Sequence, residues 1–244
     1  MRLVTYNLRY GGVRGEGNHW QQLFRDFLPD IVFAQESLAP REYFSPEEFG
    51  EFRSCLYKAV PHGKWGSAML SKALDIEAVD VAGFDGWVVG GKIRDFPVYG
   101  LPRSVTAFSL HAPSPGPYQP SIEKILDAIA QVWDGSELII AGDFNLTTAL
   151  RHTSEEKGPN TKGERRILTR MRKEFGLVNG WQLLHPNENL PQTLRWARDP
   201  VPPYHCDGIF IDQRLIRALS DVRVEGTGPW ATLSDHNPII ASFD

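Results

Sequence analysis

Residues 138–145 have the sequence LIIAGDFN, in which four apolar residues precede Gly142 and the polar residues Asp143 and Asn145 come after it. A short apolar run ended by a turn residue is typical of a buried β-strand. Polar side chains placed directly after such a strand leave the sheet at its edge, where binding and catalytic groups often lie. The stretch therefore predicts a central strand with a candidate site at its end, and the same pattern recurs along the chain.

Further apolar runs predict seven more strands, and three stretches with helical spacing predict α-helices. The strands are 3–6, 31–34, 68–70, 87–89, 105–110, 208–211 and 239–243, and the helices are 20–27, 121–133 and 163–175. Pro120 marks the start of the second helix, whose apolar residues from Ile122 to Val132 form one face that packs on a sheet. Pro- and Gly-rich segments at 111–120 and 199–203 predict loops.

Length and composition favour one domain over residues 1–244, with an α/β fold of two packed sheet layers and helices outside. The net charge of −4 argues against a strongly basic nucleic-acid-binding protein but does not exclude a nucleic-acid substrate. Cys55 and Cys206 lie far apart, without the spacing of a zinc site or a disulfide framework. We expect a cytoplasmic monomer without stable membrane association.

Polar residues follow several of the predicted strands, and as a set they indicate phosphate-ester hydrolysis. Taken singly, each has a structural explanation, such as a helix cap or an Asx turn. Together they supply carboxylates from separate strand ends, and Mg²⁺ prefers such hard oxygen ligands. The chain contains no G-x-S-x-G nucleophile motif of acyl-transfer enzymes. The set comprises Asn7, Glu36, His111, Asp143, Asn145, Asp207, Asp235 and His236.

The ordered motifs TYNLR, QES, LHAP, GDFN, D-x-I-F and SDHNP span Asn7 to Pro238 and resemble those of the endonuclease/exonuclease/phosphatase (deoxyribonuclease I-like) family. The resemblance implies a four-layered α/β sandwich, in which two β-sheets pack face to face and helices flank their outer faces. It also implies a hydrolase that uses Mg²⁺, with Mn²⁺ as a substitute. Glu36 then corresponds to the principal metal ligand, with Asn7 beside it and Asp235 close enough to serve the metal or its waters.

The same resemblance implies the catalytic roles. Asp143 and Asn145 match the pair that orients the attacking water and contacts the phosphate. His236 matches the catalytic imidazole, and Asp207 the carboxylate that fixes its orientation. His111 is expected to face the scissile phosphate from the other side. Which histidine acts as acid and which as base stays open at this point.

Two positions depart from the family pattern. Arg9 stands where many DNA-repair members have an acidic residue, which, with His111, makes an abasic-site repair enzyme less expected. Arg9 could contact a substrate phosphate or form a salt bridge, with equal weight. Gly208 replaces an aromatic residue, so we expect a more open cleft floor.

Four features are further candidates for substrate contact. Arg103 and the basic stretch 162–172 could line a phosphate-binding rim, although a solvated helix face is the better explanation of the stretch. Trp65 and Trp196 could stack on a base or sugar, although core packing is the commoner fate of tryptophan.

Three functions are compatible with these residues. The leading hypothesis is a phosphodiesterase or nuclease acting on DNA, RNA or a nucleotide, and the second is a phosphatase or phospholipase-like hydrolase of inositol phosphates or lipid head groups. A binding module that lost catalysis is the third, and the intact set of polar residues argues against it. Basic and aromatic groups along the cleft rim would favour a polymer, whereas a closed pocket would favour a small head group.

Overall fold

Two six-stranded mixed sheets are the main elements of this computed structural model, which describes residues 1–10, 18–113, 117–152, 154, 158–195 and 204–244. The strands are β1 (Arg2–Asn7), β2 (Ile31–Ser37), β3 (Ser54–Ala59), β4 (Gly66–Ser71), β5 (Ile76–Val79), β6 (Val88–Val98), β7 (Leu101–His111), β8 (Glu137–Asp143), β9 (Leu177–Asn179), β10 (Asp207–Asp212), β11 (Leu219–Val224) and β12 (Ile239–Phe243). The α-helices are α1 (His19–Phe27), α2 (Pro46–Gly50), α3 (Tyr118–Val132), α4 (Lys162–Phe175), α5 (Gly180–Leu184) and α6 (Trp230–Leu233). Two 3₁₀ helices cover Pro40–Tyr43 and Gln213–Ala218.

The two sheets have similar layouts. The first has the strand order β11-β12-β1-β2-β4-β3, and the second β5-β6-β7-β8-β10-β9. Each contains one parallel pair at its centre, β1 with β2 and β7 with β8, and all other neighbours are antiparallel. β1 and β2 pack over β7 and β8, so the two parallel pairs face each other.

Apolar residues on both faces of the central strands create separate cores and hence layers. Between the sheets lies a core that includes Leu3, Phe33, Met69, Ile139 and Ile209. Outside the first sheet, α1 packs its buried Trp20, Leu23 and Phe27 on Val4 and Val32. Outside the second, α3 and α4 pack on residues such as Phe108 and Ile140. Because these strands are buried on both sides, their sequences are continuous apolar runs without alternation. The predicted four-layered sandwich is confirmed.

All three predicted helices are present, and the largest shift in boundary is at the start of α3. α4 begins with a capping box between Thr161 and Glu164 and ends at Phe175, and it is followed by Gly176, whose φ of 65° suits glycine. α3 begins at Tyr118, before the predicted start, so Pro120 lies inside its first turn. A proline is accepted there because the first backbone N–H groups of a helix have no partner within it.

Two expectations about composition can be compared with the structure. Cys55 and Cys206 are both free thiols. None of the helices in the described ranges combines the length and the apolar character that crossing a bilayer requires. The predicted loop at 199–203 lies outside the residues that the structure describes.

Candidate active site

Strand direction brings the predicted polar residues to one edge of both sheets. Because β1 and β2 are parallel, Asn7 and Glu36 leave the first sheet on the same side. His111 and Asp143 are paired neighbours at the ends of β7 and β8. β10 runs antiparallel to β8 and places Asp207 opposite Asp143. The segment that carries Asp235 and His236 precedes β12, whose beginning lies at the same edge as the end of β1.

Asn7 links the carboxylates of the two sheets. Its side-chain nitrogen donates to Glu36 Oε1 at 3.2 Å and to Asp143 Oδ2 at 3.0 Å. Its side-chain oxygen accepts from the backbone N–H of Arg9 at 2.9 Å. In this orientation Asn7 holds Glu36 and Asp143 together, and its oxygen is not turned toward them. The contact differs from the metal ligation that the resemblance implies for Asn7.

His236 and Asp207 form a buried pair. The Nδ1 of His236 lies 3.1 and 3.0 Å from the two carboxylate oxygens of Asp207, and its Nε2 lies 3.8 Å from Asp143 Oδ2. Burial by itself would lower the pKa of His236, but Asp207 and Asp143 outweigh burial and raise the pKa to about 10. The imidazole is therefore positively charged at neutral pH, with Nε2 directed at the other buried acid.

His111 faces the same acids from the other side without such a partner. Its Nε2 lies 3.6 Å from Glu36 Oε1 and 3.7 Å from Asp143 Oδ2, and only 6% of the residue is exposed. Burial lowers the pKa of His111 to about 4, although Asp143 opposes the shift. Its Nδ1 has no hydrogen-bond partner within the described part of the chain. Two histidines around one acid thus differ in charge.

The negative charge that the carboxylates of the site can carry exceeds the nearby positive charge. Burial and the neighbouring acids raise the pKa of both Glu36 and Asp143. Asp235 adds a third carboxylate, which is partly exposed, and Asp207 adds a fourth, which is buried. Such a set of hard oxygen donors with excess negative charge fits a divalent cation of the Mg²⁺ type.

A second group could also hold a cation. Ligand atoms of Asp143, Cys206, Asp207 and His236 lie within 4.8 Å of one another. In this group Asp207 and His236 already use their facing atoms for each other. Burial also raises the pKa of the Cys206 thiol well above its usual value, which disfavours the thiolate that a metal needs.

The backbone is unusual around these side chains. Arg9, Tyr10, Glu36 and Asn145 all have positive φ values, between 49° and 62°. Residues other than glycine rarely adopt this conformation, and strained backbone of this kind is found at active sites among other places. Arg9, Tyr10 and Asn145 follow the ends of β1 and β8, and Glu36 lies at a register shift in the pairing of β2 with β4.

Two residues that support the site were missed from the sequence. Arg195 Nη2 donates to the carbonyls of Trp230 at 2.9 Å, of Ser234, and of His236 at 3.3 Å. Thr193 Oγ1 accepts from the backbone N–H of Cys206 at 2.9 Å and of Asp207 at 3.1 Å. Arg195 therefore fixes the loop that carries His236, and Thr193 fixes the start of β10. Neither residue belongs to a strand-end motif, so no local signal marked it.

The structure brings only some of the residues predicted for substrate contact to the site. Arg9 lies at the cleft edge, 61% exposed at its side chain, with Nε 3.4 Å from Asp235. Arg103 is not brought to the site, because it lies near the opposite end of β7 and pairs there with the buried Glu137. Trp196 lies outside the described residues. Trp65 is half-buried, with its ring centroid 5.4 Å from that of His111.

Two further expectations concern residues whose surroundings the structure describes. In the basic stretch, Arg170 pairs with Glu123 at 2.7 Å and with Glu174 at 2.8 Å on the outer helical layer, away from the site. At Gly208, where we expected a more open cleft floor, the structure shows which side chains lie beside the glycine. An added Cβ there would come within 3.2 Å of Thr148 and Phe210, so those side chains already occupy the space.

A cavity of about 460 Å³ adjoins the site beside Asn145. Its lining includes Tyr118, Leu146, Arg151 and Tyr204. A mixed apolar and charged lining of this kind suits one ring or head group of a substrate.

Comparisons with known proteins agree with this geometry. The model of the Endonuclease/Exonuclease/phosphatase family matches residues 4–236. No curated protein sequence matches the chain.

Solved structures share the whole architecture. An AP endonuclease from Archaeoglobus fulgidus superposes with a TM-score of 0.74 at 19% identity, covering 100% of this chain and 99% of that one. The 3'-5' exonuclease NExo from Neisseria meningitidis gives 0.72 at 19% identity and covers 100% of both chains. A 3' phosphatase NExo from Neisseria, bound to a product DNA hairpin, gives 0.70 at 18% identity and covers 100% and 99%. At these identities the likeness establishes a common fold.

Proposed function

The chain belongs to the Endonuclease/Exonuclease/phosphatase family, whose members hydrolyse phosphate esters, and on that premise we propose that it is a Mg²⁺-dependent phosphodiesterase acting on nucleic acid or nucleotides. The observation that carries the proposal is the buried pair of His236 and Asp207, with the free Nε2 of His236 directed at Asp143. This arrangement sets a positively charged imidazole beside a buried carboxylate, and the two side chains together can face a phosphate bound in the cleft.

The cation would be held by Glu36, with Asp235 available to it or to its waters. When bound, the cation stabilises negative charge on the phosphate oxygens. Asn7 holds the side chains of Glu36 and Asp143 close together through its two hydrogen bonds.

The chain's own residues supply the remaining steps. Asp143 accepts a hydrogen bond from the attacking water and orients it, and its raised pKa makes it a stronger base than an ordinary aspartate. His236 stabilises the charge that develops on the phosphate as water attacks, because Asp207 keeps its imidazole protonated and aligned. His111 acts as a neutral imidazole beside Glu36 and Asp143.

The cleft rim favours a nucleic-acid or nucleotide substrate. Arg9, Tyr10 and Trp65 offer a positive charge and aromatic rings beside the site, as binding of a strand requires. The 460 Å³ cavity supports the second candidate, a hydrolase of inositol phosphates or lipid head groups, because it could enclose a single head group. The complete polar set argues against a binding module without catalysis.

A substrate panel tests the proposal. Purified protein is incubated with Mg²⁺ or Mn²⁺, with and without chelator, against single- and double-stranded DNA, RNA, a generic phosphodiester and inositol phosphates. We expect metal-dependent cleavage of nucleic acid or the diester that His236→Ala removes. His62→Ala, at an exposed histidine, is the matched control. Phosphate release from inositol phosphates alone would support the second candidate, and no turnover would support the binding module.

A further inference from the structure

Four rings form a continuous series along one side of the site, which we call the aromatic wall: Tyr10, Trp65, Trp87 and His111. Ring centroids of Tyr10 and Trp65 lie 5.8 Å apart, and those of Trp65 and Trp87 lie 5.3 Å apart. Trp65 and Trp87 each lie 5.4 Å from His111. The wall therefore runs from His111 at the site, through Trp65, to Tyr10 at the cleft surface.

Exposure increases along the wall. His111 is 6% exposed, Trp65 and Trp87 are half-buried, and Tyr10 is 62% exposed. The Tyr10 ring meets Trp65 at an interplanar angle of 82°, so the contact is edge-to-face. This contact packs Tyr10 against Trp65, and the exposure of Tyr10 shows that ring surface stays open to solvent.

The backbone ties Tyr10 to the site. Arg9 and Tyr10 adopt left-handed φ values of 50° and 62°, and the Arg9 N–H donates to Asn7 Oδ1 at 2.9 Å. The same Asn7 side chain bridges Glu36 and Asp143. A bulky residue rarely adopts this conformation without a constraint. The backbone that leads to the exposed ring is thus joined by a hydrogen bond to the Asn7 side chain of the candidate metal site.

Arg9 supplies a positive charge beside this ring. Its ion pair with Asp235 is long, at 3.4 Å, and its side chain is 61% exposed, so the pair is weak and can exchange for another anion. A cation next to an open aromatic face is the combination that single-stranded nucleic acid recognises. Duplex bases cover each other's faces by stacking, and inositol phosphates have no aromatic face.

We propose that the aromatic wall binds an unpaired nucleobase adjacent to the scissile phosphate, stacked on Tyr10 and supported by Trp65, while Arg9 contacts a neighbouring phosphate. The inference rests on the proposed phosphodiesterase function and names its substrate class as single-stranded nucleic acid. Trp87 holds Trp65 and His111 in position.

The test compares two substrates that differ only in their bases. KM is measured for a single-stranded oligodeoxynucleotide and for a strand of equal length whose sugars carry no bases. For the unaltered chain we expect a KM about five- to hundredfold lower on the strand with bases, as stacking predicts. Tyr10→Ala is expected to bring the ratio of the two KM values close to one. Tyr10→Phe keeps the ring and should keep the ratio, and so should Tyr99→Ala, an equally exposed tyrosine at the β6–β7 turn.

Binding is followed separately by tryptophan fluorescence in chelator, where hydrolysis does not interfere. Quenching by the oligonucleotide that is reduced in both Tyr10→Ala and Trp65→Phe supports the wall. An unchanged KM ratio in Tyr10→Ala, with nucleic acid still cleaved, overturns the wall and leaves the phosphodiesterase function intact. Quenching by the oligonucleotide without cleavage of any nucleic acid would instead overturn the function and keep the binding site. The absence of both would overturn both.

Discussion

β8 and β10 are antiparallel neighbours, and each has a buried acid at both ends. At one edge of the sheet lie Glu137 and Asp212, and at the other lie Asp143 and Asp207. All four residues are between 1% and 4% exposed. The two edges therefore present the same kind of side chain at the same depth.

The partners of these acids differ. Glu137 pairs with Arg103, and Asp212 with Arg214, whose nitrogens lie 2.9 and 2.6 Å from its carboxylate. Within the described ranges, no lysine or arginine reaches ion-pair distance of Asp143 or Asp207, which are approached by imidazoles instead.

Guanidinium groups are always charged, so the acids at the far edge are neutralised permanently. The acids at the site edge retain negative charge, which a bound cation or a proton can neutralise. The identity of the partner, and not burial, therefore separates the structural from the functional carboxylates.

The largest expected effect follows from removing the groups that distinguish the site edge. His236→Ala and Glu36→Gln should each lower kcat by at least about 10²- to 10⁴-fold, because a positioned imidazole and a metal ligand act on the developing charge. Both variants should keep the far-ultraviolet circular dichroism of the unaltered chain. Full activity in either one would refute the assigned site.

The second prediction applies one chemical change to both edges. Glu137→Gln should lower the free energy of unfolding by about 1–2 kcal/mol, since it removes the negative charge with which the half-exposed Arg103 forms an ion pair. Asp143→Asn should raise it in metal-free buffer, because burial and Asp207 already disfavour the ionised carboxylate and raise its pKa. Urea denaturation at pH 7 in chelator measures both.

Hydrolysis provides the control for this pair. Asp143→Asn should lose activity while it gains stability, and Glu137→Gln should keep its activity while it loses stability. Destabilisation of similar size in both variants would show that the two edges are electrostatically alike.

A third prediction concerns the cation. Mg²⁺ at ten times its dissociation constant should stabilise the unaltered chain by about 1.4 kcal/mol, seen as a higher Tm. Glu36→Gln should lose this response, and Glu137→Gln, at the neutralised edge, should retain it. Equal Tm shifts in all three proteins would place the cation away from Glu36.

The smallest effect is expected from the support of the site loop. Arg195→Lys should lower kcat several-fold with little change in KM, because an ammonium group cannot reach three carbonyls as a planar guanidinium does. The matched variant Arg214→Lys, at the far edge, should leave kcat unchanged. A rise in KM alone would mean that Arg195 acts on substrate binding and not on the position of His236.

The sequence predicted the centre of each sheet and missed its margins. All eight predicted strands are present, whereas β3, β5, β9 and β11, the outermost strand on each side of each sheet, were not predicted. Central strands are apolar on both faces and give strong runs, but β3 is only half-buried and begins Ser-Cys-Leu-Tyr-Lys. An edge strand is specified by its neighbour, which a local pattern does not contain.

The site was predictable to the extent that it depends on strand ends. Polar residues after apolar runs identified Asn7, Glu36, His111 and Asp143, because parallel strands deliver their ends to one edge. The same reasoning failed for Arg103, which lies at the beginning of β7 and therefore at the edge opposite His111. Arg195 escaped notice because its contacts are to backbone carbonyls distant in sequence, which carry no sequence signal.

The candidate active site lies between the two sheets, so activity reports on one particular step of folding. Asn7 and Glu36 belong to one sheet and His111 and Asp143 to the other, so neither sheet contains the site by itself. Pairings such as β1 with β12 join the two ends of the chain, and contacts of such long range form slowly. In a refolding experiment, returning catalysis would therefore mark the docking of the sheets, an event that circular dichroism of the strands alone would not resolve.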